Sequence, residues 1–216
     1  PDIRALLVTS PSYYGVRRDL PALADLCRAF GKPLLVDAAH GAHFPAVGLP
    51  APIQEGADIA VLSMHKTLPC LGQGAVVLSG EGVDKRSLRE NTALFGTSSP
   101  SYPIMASIDL ARAYTEGPGR AAYHRSAETC RELREYITRR TGFTALSEAQ
   151  YPALDPCRLT VCTAGTDTTG HRLADMLWSE YGVACEMADE RNAVFILARA
   201  DTAASIYRLR RGLRHI

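Results

Sequence analysis

Three short apolar runs, ALLVT at 5–9, PLLVD at 33–37 and DIAVLS at 58–63, most constrain what this chain can fold into. None shows the polar alternation of a half-buried strand, and each is bounded by turn-forming or helical sequence. Runs of this kind read as strands covered on both faces, and strands alternating with helices imply βαβ units and a largely parallel sheet. A parallel strand needs neighbours on both sides, so a chain whose first run lies so near its start is expected to begin inside a fold. DLPALADLCRAF at 19–30 has the spacing of an amphipathic helix, with an acidic N-cap at Asp19 and a stop at Gly31. GAVVLSG at 74–80 reads as a fourth strand.

The runs end on Thr9, Asp37 and Ser63. In open parallel sheets ligands bind outside the carboxyl ends of the strands, so three loops are expected to converge on one site. From Asp84 the pattern turns helical, interrupted by TSSPSYP at 97–103, and YHRSAETCRELREYITRR at 123–140 reads as one long charged helix. CRLTVC, a helix at 169–181, VACEM, AVFILA and a last helix from about 202 follow, a β-α-β-β-α order that predicts a small α+β domain on an antiparallel sheet. The expected boundary separates 1–122 from 123–216.

Bulk properties exclude several classes. With 22% charged residues and a net charge of +1, no overall electrostatic attraction to nucleic acid or an anionic membrane is expected. The basic run YRLRRGLRH at 207–215 reads as the polar face of the last helix. No apolar stretch reaches the roughly 20 residues of a bilayer span. The six cysteines lack C-x-x-C spacing, so neither zinc nor a disulfide framework is expected and a cytoplasmic setting is the default.

The chemistry centres on SMHKTLPCLGQG at 63–74. A nucleophilic lysine must be partly desolvated or lie near other cations to free its amine, and Lys66 follows an apolar strand directly after His65. A lysine that forms a Schiff base at a strand end implies a carbonyl cofactor, for which pyridoxal phosphate is the obvious choice. That cofactor needs an anion to keep its ring nitrogen protonated and donors for its phosphate. Asp37 is placed for the first, Ser63 and His65 for the second. Each residue also has a structural reading. Lys66 alone is a snorkelling surface lysine, Asp37 a turn former, His43 a satisfied loop histidine and Cys70 a small buried apolar residue.

LLVDAAHGAHF, ADIAVLSMHKTLPCLGQGAVVL and TSSPSYPIMASIDLAR, with SPSYYGVRRDL before them and GHRLADMLWSEYGVACEMADERN after, resemble the ornithine/lysine/arginine decarboxylases over nearly the whole chain, in the right order. The resemblance implies the fold-type I, aspartate-aminotransferase-like architecture, an α/β three-layer αβα major domain present in part and followed by a small C-terminal α+β domain. It implies decarboxylation of arginine, lysine or ornithine to the amine and carbon dioxide, in polyamine synthesis or acid tolerance. Lys66 would carry pyridoxal 5'-phosphate as an internal aldimine and Asp37 would pair with the ring nitrogen. His40 would bond the phenolic oxygen with Ala39 under the ring, while Ser63 and His65 would hold the phosphate and His65 would also serve in proton transfer. Thr97 and Ser98 would reach the phosphate of a partner subunit, because sites in this fold form at a homodimer interface. No metal, nucleic acid or membrane partner is implied.

Two positions depart from the family pattern: Gly72, where relatives commonly carry a hydroxyl residue, and Arg199, at a strand end where these decarboxylases usually have no arginine. A small-domain arginine that clamps the substrate carboxylate is an aminotransferase feature, so an aminotransferase of the same fold is the alternative. Glu186 and Asp189 are a further candidate pair for a basic substrate side chain, set against the reading of an acidic turn. The family's N-terminal phosphate loop and ring-stacking residue have no counterpart before LLVTS, and its C-terminal extension has none either. The chain is therefore expected to be a fragment, with an inactive remnant acting as an interaction partner as a third reading.

Overall fold

A computed structural model describes residues 2–97 and 99–216, and the chain divides into two compact units. The first comprises residues 1–11 and 18–118; the second comprises 12–17 and 119–216.

The first unit holds a four-stranded sheet of β1 (Leu6–Thr9), β2 (Leu34–Asp37), β3 (Ile59–Ser63) and β4 (Ala75–Ser79), in that order. β1, β2 and β3 are parallel, with Thr9 opposite Asp37 and Asp37 opposite Val61. β4 runs antiparallel to β3, so the sheet is parallel except at this edge. Its short connection from β3, through a one-turn helix α2 (Met64–Thr67) and the 68–74 loop, leaves no length for the crossover a parallel strand requires.

α1 (Leu20–Ala29) links β1 to β2. Asp19 caps it by accepting the Ala22 N–H at 3.0 Å, Pro21 occupies its first turn, and Leu20, Ala24 and Cys27 turn inward at helical spacing. Leu34, Val36, Ala60 and Leu62 on one sheet face are buried. Leu7, Val61 and Val77 on the other stand open, Leu7 at 70% exposure. The apolar runs therefore lack the second covered face expected of them, because the helices among the described residues cover only one side. α3 (Lys85–Phe95) and α4 (Tyr102–Glu116) complete the unit.

The second unit is built on α5 (Gly119–Arg140) and a sheet ordered β5 (Thr144–Ala145), β6 (Arg158–Cys162), β8 (Asn192–Ile196), β7 (Met187–Ala188), antiparallel throughout. α6 (Gly170–Tyr181) and α7 (Ala203–His215) complete it. Leu133 and Ile137 of α5, Leu173 and Leu177 of α6, and Leu209 and Leu213 of α7 place apolar stripes at four-residue spacing over Leu159, Val161 and Phe195. The cysteines carry no disulfide, and burial pushes the Cys130 thiol up to about 12.

Residues 12–17 cover the other side of β6. Asp155 donates its N–H to Gly15 at 2.7 Å, Thr160 donates its hydroxyl to Tyr14 at 3.0 Å, and Arg17 donates its N–H to Ala153 at 2.8 Å. Gly15 has φ +88°, and a Cβ there would lie 2.7 Å from the Arg158 side chain, so both conformation and space demand glycine. Arg158 and Thr160 are buried beneath this segment, and Arg158 pairs with buried Asp155 at 3.8 Å. Arg134 ties the layer to α5 by donating to the carbonyls of Asp155 at 2.8 Å and Arg158 at 2.7 Å.

Candidate active site

Strand pairing brings the polar ends of the first sheet together. Asp37 ends β2 and Ser63 ends β3, and the Ala38 N–H bonds the Val61 carbonyl at 2.8 Å, holding the two loops side by side. Asp37 accepts the Ala39 N–H on Oδ1 at 3.1 Å, a local turn bond that leaves Oδ2 available. Ala39 is half-buried behind it and His40 is buried at 5% exposure.

Ser63 is the N-cap of α2, with extended backbone, but its hydroxyl makes no capping bond. Lys66 leaves the single turn of α2 so that Nζ lies 3.4 Å from His40 Nε2. An amine and an imidazole nitrogen can each donate or accept, so the contact sets two proton-carrying groups side by side. Lys66 and Asp37 are exposed, so Lys66 lacks the desolvation expected from its place after a buried strand and has a basic neighbour in His40 instead.

His65 is positioned by Gly74, whose carbonyl accepts both the His65 backbone N–H at 3.2 Å and ring Nδ1 at 2.9 Å. A carbonyl only accepts, so Nδ1 carries the proton and Nε2 is left to face a ligand. Gly74 is held in turn by a loop in which Gln73 has φ +69° and Ser107 of α4 accepts the Leu71 N–H at 3.1 Å and meets Cys70 Sγ at 3.4 Å. Cys70 is thus half-exposed and hydrogen-bonded, not the buried apolar residue expected of it. Neither Gly74 nor Ser107 stands out in sequence: one acts through its carbonyl, the other 36 residues from its partner. A Cβ at Gly72 would meet nothing within 4 Å, so this position has room for a side chain.

The remaining candidates are placed elsewhere. Thr97 is exposed past α3 and spends its hydroxyl accepting the Ser99 N–H at 3.1 Å; Ser98 lies outside the described residues. His43 is buried at the start of a 3-10 turn, Phe44–Val47, with its ring edge on Phe44 at 5.0 Å. Arg199 is exposed in the second unit, beyond β8. Asp189, in the same unit, accepts the Arg191 N–H at 2.7 Å, the Asn192 N–H at 2.8 Å and the Tyr14 hydroxyl at 2.6 Å, which makes it a turn former. Burial raises its carboxyl, but these bonds outweigh burial and hold it below the ordinary 3.8. Glu186 accepts from Tyr13 at 3.3 Å, and burial foremost, then this carboxylate, raises the Tyr13 phenol.

An amine, a carboxylate with a free oxygen, two imidazoles and an uncommitted hydroxyl thus gather at the carboxyl ends of β2 and β3. The set matches the donors pyridoxal phosphate requires. A model of the family described as "Orn/Lys/Arg decarboxylase, major domain" matches residues 1–151. The chain is 31% identical over 226 residues to the arginine decarboxylase of Bacillus subtilis (strain 168), covering 100% of this chain and 46% of that protein. It spans about half the length of the curated relatives it matches. Among solved structures it is similar to the constitutive lysine decarboxylase of E. coli, with a TM-score of 0.74 and 21% identity over 97% of this chain and 36% of that one. It is also similar to an alanine–glyoxylate aminotransferase from Nostoc sp., with a TM-score of 0.73 and 19% identity over 98% of this chain and 61% of that one. These two likenesses concern the fold.

Proposed function

The chain belongs to the Orn/Lys/Arg decarboxylase family, with the fold of the fold-type I pyridoxal-phosphate enzymes, and from that premise we propose that it is part of an enzyme that decarboxylates arginine, lysine or ornithine. The observation that carries this reading is Lys66 Nζ at 3.4 Å from His40 Nε2, joining the loop after β3 to the loop that follows Asp37 at the end of β2.

Lys66 would hold the cofactor through its amino group, Asp37 would face the ring nitrogen, His40 and Ala39 the ring, and Ser63 and His65 the phosphate, with Thr97 and Ser98 offered to a second copy. Bound there, pyridoxal phosphate supplies the sink for the electrons left on the α-carbon when carbon dioxide departs. Asp37, exposed and with one carboxyl oxygen uncommitted, would favour a protonated partner at the position it faces. The Lys66–His40 pair would place an amine and a buried imidazole close enough to pass a proton between them. His65, with Nδ1 committed to Gly74, presents Nε2 as acceptor when neutral and as donor when protonated. A second copy of this chain is the partner proposed for α3 and α4, where Leu94, Phe95 and Tyr102 are exposed and α3 buries none of its residues.

The test is an absorbance spectrum of the purified chain with added pyridoxal phosphate, beside Lys66→Ala, before and after borohydride. A band that borohydride fixes on Lys66 supports the reading, as does carbon dioxide released from one of the three amino acids. Accumulation of a keto acid instead would make the protein an aminotransferase. Absence of any Lys66-dependent band would overturn the proposed site in this chain.

A further inference from the structure

The hydrogen bonds that fix His65 do not end at Gly74. Followed from the ring outward, they form one line of donors that all point the same way. His65 donates from Nδ1 to the Gly74 carbonyl at 2.9 Å, and Gly74 donates its N–H to the Leu71 carbonyl at 3.2 Å. Leu71 donates its N–H to Ser107 Oγ at 3.1 Å, and Ser107 donates its hydroxyl to the Ile104 carbonyl at 2.7 Å, inside α4. The line joins an imidazole just past β3 to a helix that comes after β4 and α3 in the chain.

A hydroxyl residue in a helix ordinarily bonds back to its own preceding turn and does nothing more. Thr92 and Thr115 are of that kind, Thr92 donating to the Leu88 carbonyl at 2.7 Å and Thr115 to that of Arg112 at 2.8 Å. Ser107 does the same with its single proton, which leaves its lone pairs to accept from outside the helix. They receive the Leu71 N–H and face the Cys70 thiol, whose Sγ lies at 3.4 Å.

Two features make the 68–74 loop depend on that anchor. Gln73 has φ +69°, the one non-glycine residue with positive φ among the described residues, a conformation that persists where surrounding contacts over-determine it. Gly74 is buried, and a Cβ there would collide with Cys70 Sγ and lie 3.0 Å from the Leu71 carbonyl oxygen and 3.3 Å from Ile108 Cγ1. Gly74 is thus packed against the Cys70–Leu71 turn that Ser107 holds, and the two move together.

We propose that Ser107 is a positioning residue for the candidate active site, holding the Gly74 carbonyl in place and through it the tautomer of His65. This rests on the reading of His65 as a phosphate-binding and proton-transferring group. A ring nitrogen bonded to a carbonyl keeps its proton, so the proton His65 gains and loses is the one on Nε2, the nitrogen not bonded to Gly74. Without the Ser107 anchor, exposed Leu71 gives its N–H to water, so the fold survives while the Gly74 carbonyl loses its place. The neutral ring is then free to carry its proton on either nitrogen.

The test is heteronuclear NMR of the imidazole nitrogens of the 216-residue chain at alkaline pH, with the His65 signals assigned by their loss in His65→Gln. In the wild type the neutral ring is expected to carry its proton on Nδ1. Ser107→Ala should shift the ratio severalfold toward Nε2, Ser107→Thr should restore it by keeping the hydroxyl, and Thr115→Ala on the same helix should leave it alone, each fold being checked by circular dichroism. Ser107→Cys, a weaker acceptor of similar size, should shift it the same way by less, and decides the matter if the alanine variant does not fold. A wild-type ring protonated on Nε2, a ratio unmoved in the folded Ser107 variants, or an equal shift in Thr115→Ala would overturn the proposal. Affinity for pyridoxal phosphate, read from the Lys66-dependent absorbance band, should fall severalfold in Ser107→Ala, and an unchanged affinity beside a shifted ratio would remove Ser107 from the site. If the wild type shows no such band, the cofactor reading fails while the tautomer ratio still decides whether Ser107 sets His65.

Discussion

Lys66 Nζ and His40 Nε2 lie 3.4 Å apart past the ends of β3 and β2, and Asp37, the last residue of β2, keeps one oxygen uncommitted. If Asp37 keeps a ring nitrogen charged, Asp37→Ala should lower turnover by orders of magnitude and cofactor retention far less, read as kcat beside the cofactor's absorbance; unchanged kcat in a variant that still holds cofactor would remove Asp37 from the mechanism. At the other end of the chain, Asp189 gives a pH-dependent signature. Its folded carboxyl lies below the ordinary 3.8, so the stability it adds is complete above that value and fades as pH falls through the lower folded one. Tyr14→Phe removes the 2.6 Å bond to Asp189 and should cost about 1 kcal/mol at neutral pH in urea unfolding, a difference that shrinks toward pH 3. The turn role of Asp189 was readable from MADERN as an acidic turn, whereas its bond to a tyrosine 175 residues away was not, because only folding brings them together.

At the scale of elements, α6 docks its first residue directly on the 189–192 turn. A Cβ on Gly170 would lie 2.2 Å from the Asn192 carbonyl oxygen and 2.4 Å from that of Asp189, both backbone atoms that cannot rotate away. Gly170→Ala should therefore destabilise by about 1–3 kcal/mol despite alanine's better helix propensity, measured as a lowered midpoint in chemical unfolding. α3 makes the opposite prediction, since Phe95 is 92% exposed and buries nothing within its own chain. If a second copy covers it, Phe95→Glu should shift sedimentation from dimer to monomer while leaving the melting temperature of the monomer unchanged; a wild-type chain that sediments as a monomer would remove that partner. The helices themselves were legible from their spacing and caps. The strand expected at VACEM begins early and meets β7 only at Met187, and the two-residue β5 was not foreseen, because segments so short carry no periodicity of their own.

For the molecule as a whole, the two units rest on separate cores, so Leu34→Ala in one and Leu159→Ala in the other, both fully buried, should each cost about 2–5 kcal/mol in unfolding experiments. Among the described residues no helix is long and apolar enough to cross a membrane. The order of strands and helices, the polar residues at the strand ends and the Ser63, His65 and Lys66 grouping were all present in the sequence, because local patterns of apolar and capping residues are written in consecutive positions. What only the tertiary structure decided depends on contacts between distant positions. These are the antiparallel edge of the first sheet, its open second face, the return of residues 12–17 over β6, and the Gly74 carbonyl that sets the His65 tautomer. Each arises from which surfaces are left uncovered or unsatisfied once the backbone has closed, and no single stretch of sequence carries that information.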